Sequence, residues 1–202
     1  MARYLGPKVK LSRRVGVPIA DVPKHTAKRQ LTTPGMHGYR GRRLKDYGIR
    51  QNEKQKLRYH YSVLERQFRR YIEEASRGKG NTGEALMALL EQRLDNVIRR
   101  AGLTRTIWAS RQMVVHGHVL VNGKKIDIPS YQVKVGEVIT LASRASKNAL
   151  VAASVEAVKG RGVPRWLELD AANLSGKVLA LPARDDVSFP IQEQLIVELY
   201  SK

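Results

Sequence analysis

The chain has no cysteine among its 202 residues, which excludes disulfides, thiolate metal ligands and a cysteine nucleophile. It has no run of eighteen apolar residues. Arg3, Lys8, Lys10, Arg13 and Arg14 crowd the start, so neither a membrane-spanning helix nor a secretory leader is expected. Catalytic pairings are missing too. Asp185 and Asp186 are adjacent and would point apart on a strand or loop; His116 and His118 would share a strand face but lack a third ligand. Gly78, Gly80 and Gly83 are not followed by the Lys-Ser/Thr of a phosphate loop. These absences point to a binding protein rather than an enzyme, with no cofactor and no small-molecule substrate.

What the chain has is positive charge: 37 Lys and Arg against 18 Asp and Glu, a net +19 and a pI near 10.5. Such an excess repels itself unless a polyanion compensates it. It is unevenly placed, with +11 in residues 1–45, +2 in 46–91, +6 in 92–158 and zero in 159–202. Nucleic acid is therefore expected on the first and third of these segments, and packing in the last. Hydrophobic residues make up 42%, enough for a core in one or two domains.

Residues 1–45 show no sustained period and are punctuated by Gly6-Pro7, Pro18, Pro23, Pro34-Gly35, Gly38 and Gly41. This reads as an extended arm ordered by its partner, with a solvated tail as the alternative. Tyr4, Leu5, Met36, His37 and Tyr39 interleave with its cations, which suits docking into RNA. His25 and His37 alone are too few for a zinc site, so no metal is expected. From Asp46 to Arg77 the apolar residues Leu57, Tyr61, Leu64, Phe68, Ile72 and Ala75 step by three and four, predicting one long helix that ends at Gly78. Its other side carries Arg58, Arg66, Arg69, Arg70 and Arg77, a solvated face or a phosphate-binding one.

Between Arg93 and Ala142 the periodicity changes. Leu94, Val97, Ile98 and Ala101 predict a helix stopped by Gly102. Thr106 can cap a second helix that ends at Gly117. Asn122-Gly123 between alternating residues predicts a tight hairpin, and Val133 to Leu141 a further strand around Gly136. Arg93 and Arg111 offer forks for bidentate phosphate contacts, Lys124 and Lys125 point charges at the hairpin end, and Gln112, His116 and Asn122 hydrogen bonds to phosphate or 2′-hydroxyl. Trp108 either closes the helix pair or stacks on a base. Beyond it, a helix is expected near Lys147–Val158, short strands at Trp166–Asp170 and Val178–Leu181 around a Ser175-Gly176 turn, and a last apolar element at Ile191–Tyr200.

The run RLDNVIRRAGL followed by TIWASRQMVVHGHVLVNGKKIDIPSYQVKVGEVI resembles the S-four RNA-binding domain. ARYLGPKVKLSRR, PGMHG, DYGIRQNEKQKLRYHYSVLERQFRRY and IQEQLIVELYSK extend the likeness over most of the chain, to the family of small-subunit ribosomal protein four in its bacterial or organellar form. The resemblance implies an α+β fold. A mainly helical domain would be built from two separated segments, 46–91 and 159–202, with the RNA-binding domain, 92–158, inserted, and an extended basic arm, 1–45. It implies a structural role in the small ribosomal subunit, with direct binding of the 5′ domain of its ribosomal RNA at a multi-helix junction, early in assembly. Contacts with neighbouring ribosomal proteins would accompany this. It also implies a place where messenger RNA enters, an influence on accuracy, and residence in cytoplasmic ribosomes or, alternatively, the plastid stroma.

Many family members hold zinc through cysteines in the arm; this chain has none. The residues expected to meet RNA are Arg3, Lys8, Lys10, Arg13, Arg14, His37, Arg40, Arg42 and Arg43, with the last three on the messenger side. Lys54, Arg58, Arg66, Arg69 and Arg70 on the long helix join them, as do Arg93, Arg111, Gln112, His116, Asn122, Lys124 and Lys125. Two other classes stay open. An RNA-modifying enzyme that borrows the module would need a catalytic domain with an active aspartate, and a helix-turn-helix protein would use Thr106–His116 to read duplex DNA.

Overall fold

A computed structural model describes residues 4–20, 31–40, 43–78, 80–146, 148–159, 162–170, 173–187 and 189–201. Its α+β architecture divides into two compact units, residues 1–86 with 189–202, and residues 87–188.

In the first unit, α1 (Lys8–Val15) follows Pro7, which has no N–H to leave unsatisfied, and stops at Gly16 in the left-handed region. The sequence predicted no helix here. Leu11, Val15, Ile19 and Ala20 are buried, so this part of the arm packs as well as carrying charge. The long helix expected over 46–77 is instead two, α2 (Asp46–His60) and α3 (Glu65–Arg77). Ser62 takes a positive φ of 52° between them, and Tyr61 and Val63 on either side are buried. α4 (Thr82–Glu91), of which Thr82–Leu86 fall in this unit, begins at Asn81, whose Oδ1 accepts the Gly83 N–H at 2.9 Å and whose amide donates to Glu84.

The second unit holds α5 (Leu94–Arg100), α6 (Ile107–Val115), β1 (Val119–Val121), β2 (Lys124–Lys125), β3 (Val138–Leu141), α7 (Ser143–Ser146), α8 (Ala149–Lys159), β4 (Leu167–Asp170) and β5 (Ser175–Val178). The strands form one antiparallel sheet in the order β2-β1-β3-β5-β4. Val119 lies opposite Leu141, Val121 opposite Ile139, and Ile139 opposite Gly176. These positions share one sheet face and meet Leu94, Val97, Ile98, Leu103 and Val114 in the core. Burying them is the main source of the unit's stability.

Residues 162–187 were expected in the helical domain. They belong to the second unit, because β5 pairs with β3. The boundaries therefore fall after Leu86 and Ser188, rather than after Glu91 and Val158. Ser175 and Gly176 lie inside β5 instead of forming a turn. The turn is made at Asn173 and Leu174, where Leu174 has φ 49° and the Asp170 carboxylate accepts the Asn173 N–H. In the first unit, α9 (Glu193–Tyr200) packs on α2, and Phe189 stacks on His60 with ring centroids 4.1 Å apart.

Candidate nucleic-acid interface

Thr106, in extended conformation, caps α6 by accepting the Ala109 N–H at 3.2 Å. Ser110 and Val114 face inward, and the Ser110 and Thr104 hydroxyls lie 2.5 Å apart. Gln112 and His116 are left exposed on the outer side. Gly117 then turns the chain into β1 with φ 68°. A Cβ at this position would clash with Lys125 Cε and lie 2.6 Å from Nζ. The Lys125 side chain therefore passes across Gly117, bringing its ammonium to the carboxyl end of α6, where a cation is favoured. The rings of His116 and His118, on either side of Gly117, are 5.9 Å apart and edge-to-face.

The hairpin tip is held as Asn-Gly predicts, with positive φ at Asn122 (48°) and Gly123 (77°). Asn122 Oδ1 also accepts the Val138 N–H at 2.9 Å, and the Asn122 N–H donates to the Val138 carbonyl at 2.8 Å. The Asn122 side chain thus ties the tip to β3 through its oxygen, and its amide N–H groups are the part that can donate to a phosphate. Lys124 and Lys125 are both exposed.

Arg93 is a correction. It is fully buried, with Nε donating to Asp95 Oδ1 at 3.1 Å and Nη2 to Oδ2 at 2.6 Å. The backbone around it pairs with the loop at Pro129–Val133 through Leu94 N–H to Tyr131 O and Val133 N–H to Gln92 O. Its fork is matched by a carboxylate inside the protein and offers nothing to a phosphate. Arg111 is also buried, at 6% exposure, and presents no open fork. A neighbouring buried group repeats the pattern, since Glu91 accepts from Arg100 and from Asn96.

In the first unit, Lys54 and Arg58 are likewise turned inward. Lys54 Nζ donates to Glu65 Oε1 at 3.0 Å, and Arg58 lies 2.8 Å from Glu65 Oε2. Tyr200 donates its hydroxyl to the same Oε1 at 2.5 Å. Burial acts to raise the Glu65 pKa, but the hydrogen bonds from Tyr200 and Lys54 and the charges of Arg58 and Lys54 outweigh it and hold the carboxyl below its ordinary value. Burial first, then the bond to Glu65, pushes the Tyr200 hydroxyl well up.

Arg66, Arg69 and Arg70 are exposed on α3, and Lys8, Lys10 and Arg14 on or beside α1. Arg13 donates to the Thr32 carbonyl at 3.0 Å, spending part of its fork. Arg40 lies over the Tyr39 ring, 5.7 Å from its centroid, and donates its N–H to the His37 carbonyl; His37 and Arg43 are exposed. Arg3, Arg42 and His25 lie outside the described residues. His118, weighed in the sequence only with His116 as metal or acid/base chemistry, and Asn148, not singled out there, line a cleft with Gln112 and His116.

Residues 3–91 match the model of the ribosomal protein S4/S9 N-terminal domain, and residues 92–139 that of the S4 domain. The small ribosomal subunit protein uS4 of Acetivibrio thermocellus is 48% identical over 208 residues, that of Aeromonas hydrophila 50% over 206, and that of Persephonella marina 49% over 205. All of this chain and all of each relative are covered. The chain belongs to the ribosomal protein S4 family. Within that family's S4 domain, the exposed side of α6 and the cationic hairpin form the face just described.

Proposed function

We propose that this chain is a primary ribosomal RNA binder. As a member of the ribosomal protein S4 family it is a structural component of the small ribosomal subunit, and not an enzyme. Its partners are ribosomal RNA and ribosomal proteins, and among the described residues no helix is long and apolar enough to cross a membrane. In the finer reading it binds the 5′ domain at a multi-helix junction and nucleates assembly. Cations neutralise phosphates that tertiary folding brings together, so the protein favours the compact RNA by binding it preferentially. The observation that carries this reading is the Lys125 side chain across Gly117, which sets a hairpin cation beside the carboxyl end of α6, whose Gln112 and His116 are exposed. The +11 charge of residues 1–45 supports a second contact. Arg40, Arg42 and Arg43 are assigned to the channel through which messenger RNA enters, where the chain would affect accuracy. Its ribosome is taken as cytoplasmic, the plastid stroma being the alternative.

The test is salt-dependent binding of the full chain to a 5′-domain transcript, with transfer RNA and duplex DNA as competitors. Tight binding that survives both competitors, with a steep salt slope, is expected. Equal affinity for all three would reduce the chain to a generic polycation. Reversing charge at Arg40, Arg42 and Arg43 should impair unwinding of structured messenger; unchanged unwinding removes the channel assignment.

A further inference from the structure

A cleft of about 260 Å³ opens in the second unit, lined by α6, the turn before it, His118 and the start of α8. Its lining combines two chemistries. Met113 and Val151 give apolar walls, while Gln112, His116, His118 and Asn148 give hydrogen-bonding edges. We infer that this cleft receives an unpaired RNA base whose phosphate lies on Lys125, an inference that rests on the RNA-binding reading above.

The lining selects the occupant. A phosphate is disfavoured between thioether and aliphatic walls, whereas a base has a flat apolar face and a polar rim, so it suits both parts of the lining. The two imidazoles are inclined at 64°, so one can stack on the base while the other meets its edge. The Lys125 ammonium is held across Gly117, between these two histidines in sequence. Charge for the phosphate and a slot for the base are thus adjacent, and among the described residues no acidic side chain lines the cleft. At the rim, Leu150 is 75% exposed, an apolar side chain that a stacked base would cover. Single-stranded nucleotides are commonly recognised through this combination of stacking and edge contacts.

The experiment is ultraviolet crosslinking of the full chain to the folded 5′-domain transcript, with the adducts mapped by mass spectrometry, alongside affinity and salt slope for three variants. S154F fills the cleft from the half-exposed side of α8. Q112A and L150S alter exposed positions and keep the test valid if S154F does not fold. A base adduct is expected in the peptides spanning 112–118 or 148–154. Each variant should lose it, and S154F should weaken binding roughly tenfold or more with an unchanged salt slope, because no phosphate contact is removed. Preference for the transcript with no such adduct, and with all three variants binding as the parent does, overturns the cleft alone. Loss of preference for the transcript in the parent chain overturns the RNA-binding reading, and the cleft with it.

Discussion

Arg93 and Asp95, two positions apart at the start of α5, form a bidentate ion pair with both side chains fully buried. Breaking such a pair strands a charge in a low-dielectric interior and costs about 3–5 kcal/mol. Arg93→Ala and Asp95→Ala should each lower the thermal stability of the chain strongly. Neither should change the salt slope of RNA binding in protein that remains folded. A lower slope with intact stability would return Arg93 to the RNA-facing set.

Lys124 and Lys125 sit at the opposite extreme, exposed on the two-residue strand β2 at the sheet edge. Their removal leaves the core untouched. Lys124→Ala and Lys125→Ala should each reduce the slope of log affinity against log salt by about one, while melting temperatures stay within a degree or two. Slopes equal to that of the parent chain would move the RNA face away from the hairpin.

What the sequence revealed follows the range of the forces involved. The Thr106 cap and the Asn122-Gly123 turn depend on one or two residues, so they could be read directly. The break at Tyr61–Leu64 could not. The stripe through Leu57, Tyr61, Leu64 and Phe68 keeps helical period across it, and Ser62 adopts φ 52° without being a residue that favours it. Burial of Tyr61 and Val63 accompanies the break, a tertiary effect that a local pattern does not carry. Gly176 looked like a turn, but it stands in β5 between Ile139 and Leu169. Among the site residues, charge alone could not separate Arg93, Lys54 and Arg58, which meet internal carboxylates, from Arg66, Arg69 and Arg70, which remain exposed.

The Tyr200–Glu65 contact makes the attachment of α9 depend on pH. The Glu65 pKa is lowered in the fold, so its contribution is complete above the ordinary value near 4.5 and is lost as pH falls through the folded value. Tyr200 is raised, so its contribution is complete below the ordinary value near 10.0 and is lost as pH rises through the folded value. Protection of the α9 amides, measured as exchange relative to the intrinsic rate at each pH, should therefore be greatest between those limits and fall as acid protonates Glu65. Glu65→Gln should flatten the acid side, because the group that titrates is gone. An acid limb of the same size in the variant would assign the effect to other carboxylates.

Gly117 gives the sharpest test of how the RNA face is assembled. The three atoms nearest a methyl group there all belong to the far end of a flexible lysine, so the ammonium of Lys125 can swing aside, and the fold bears mainly the φ of 68°, a strain of about 1 kcal/mol. Gly117→Ala should thus lose little stability and yet reduce the salt slope as far as Lys125→Ala does. The two changes act on the same ammonium, so the double variant should fall no further than either single one. Additive losses would mean that Lys125 meets phosphate from another position, and that Gly117 matters only for turning α6 into β1.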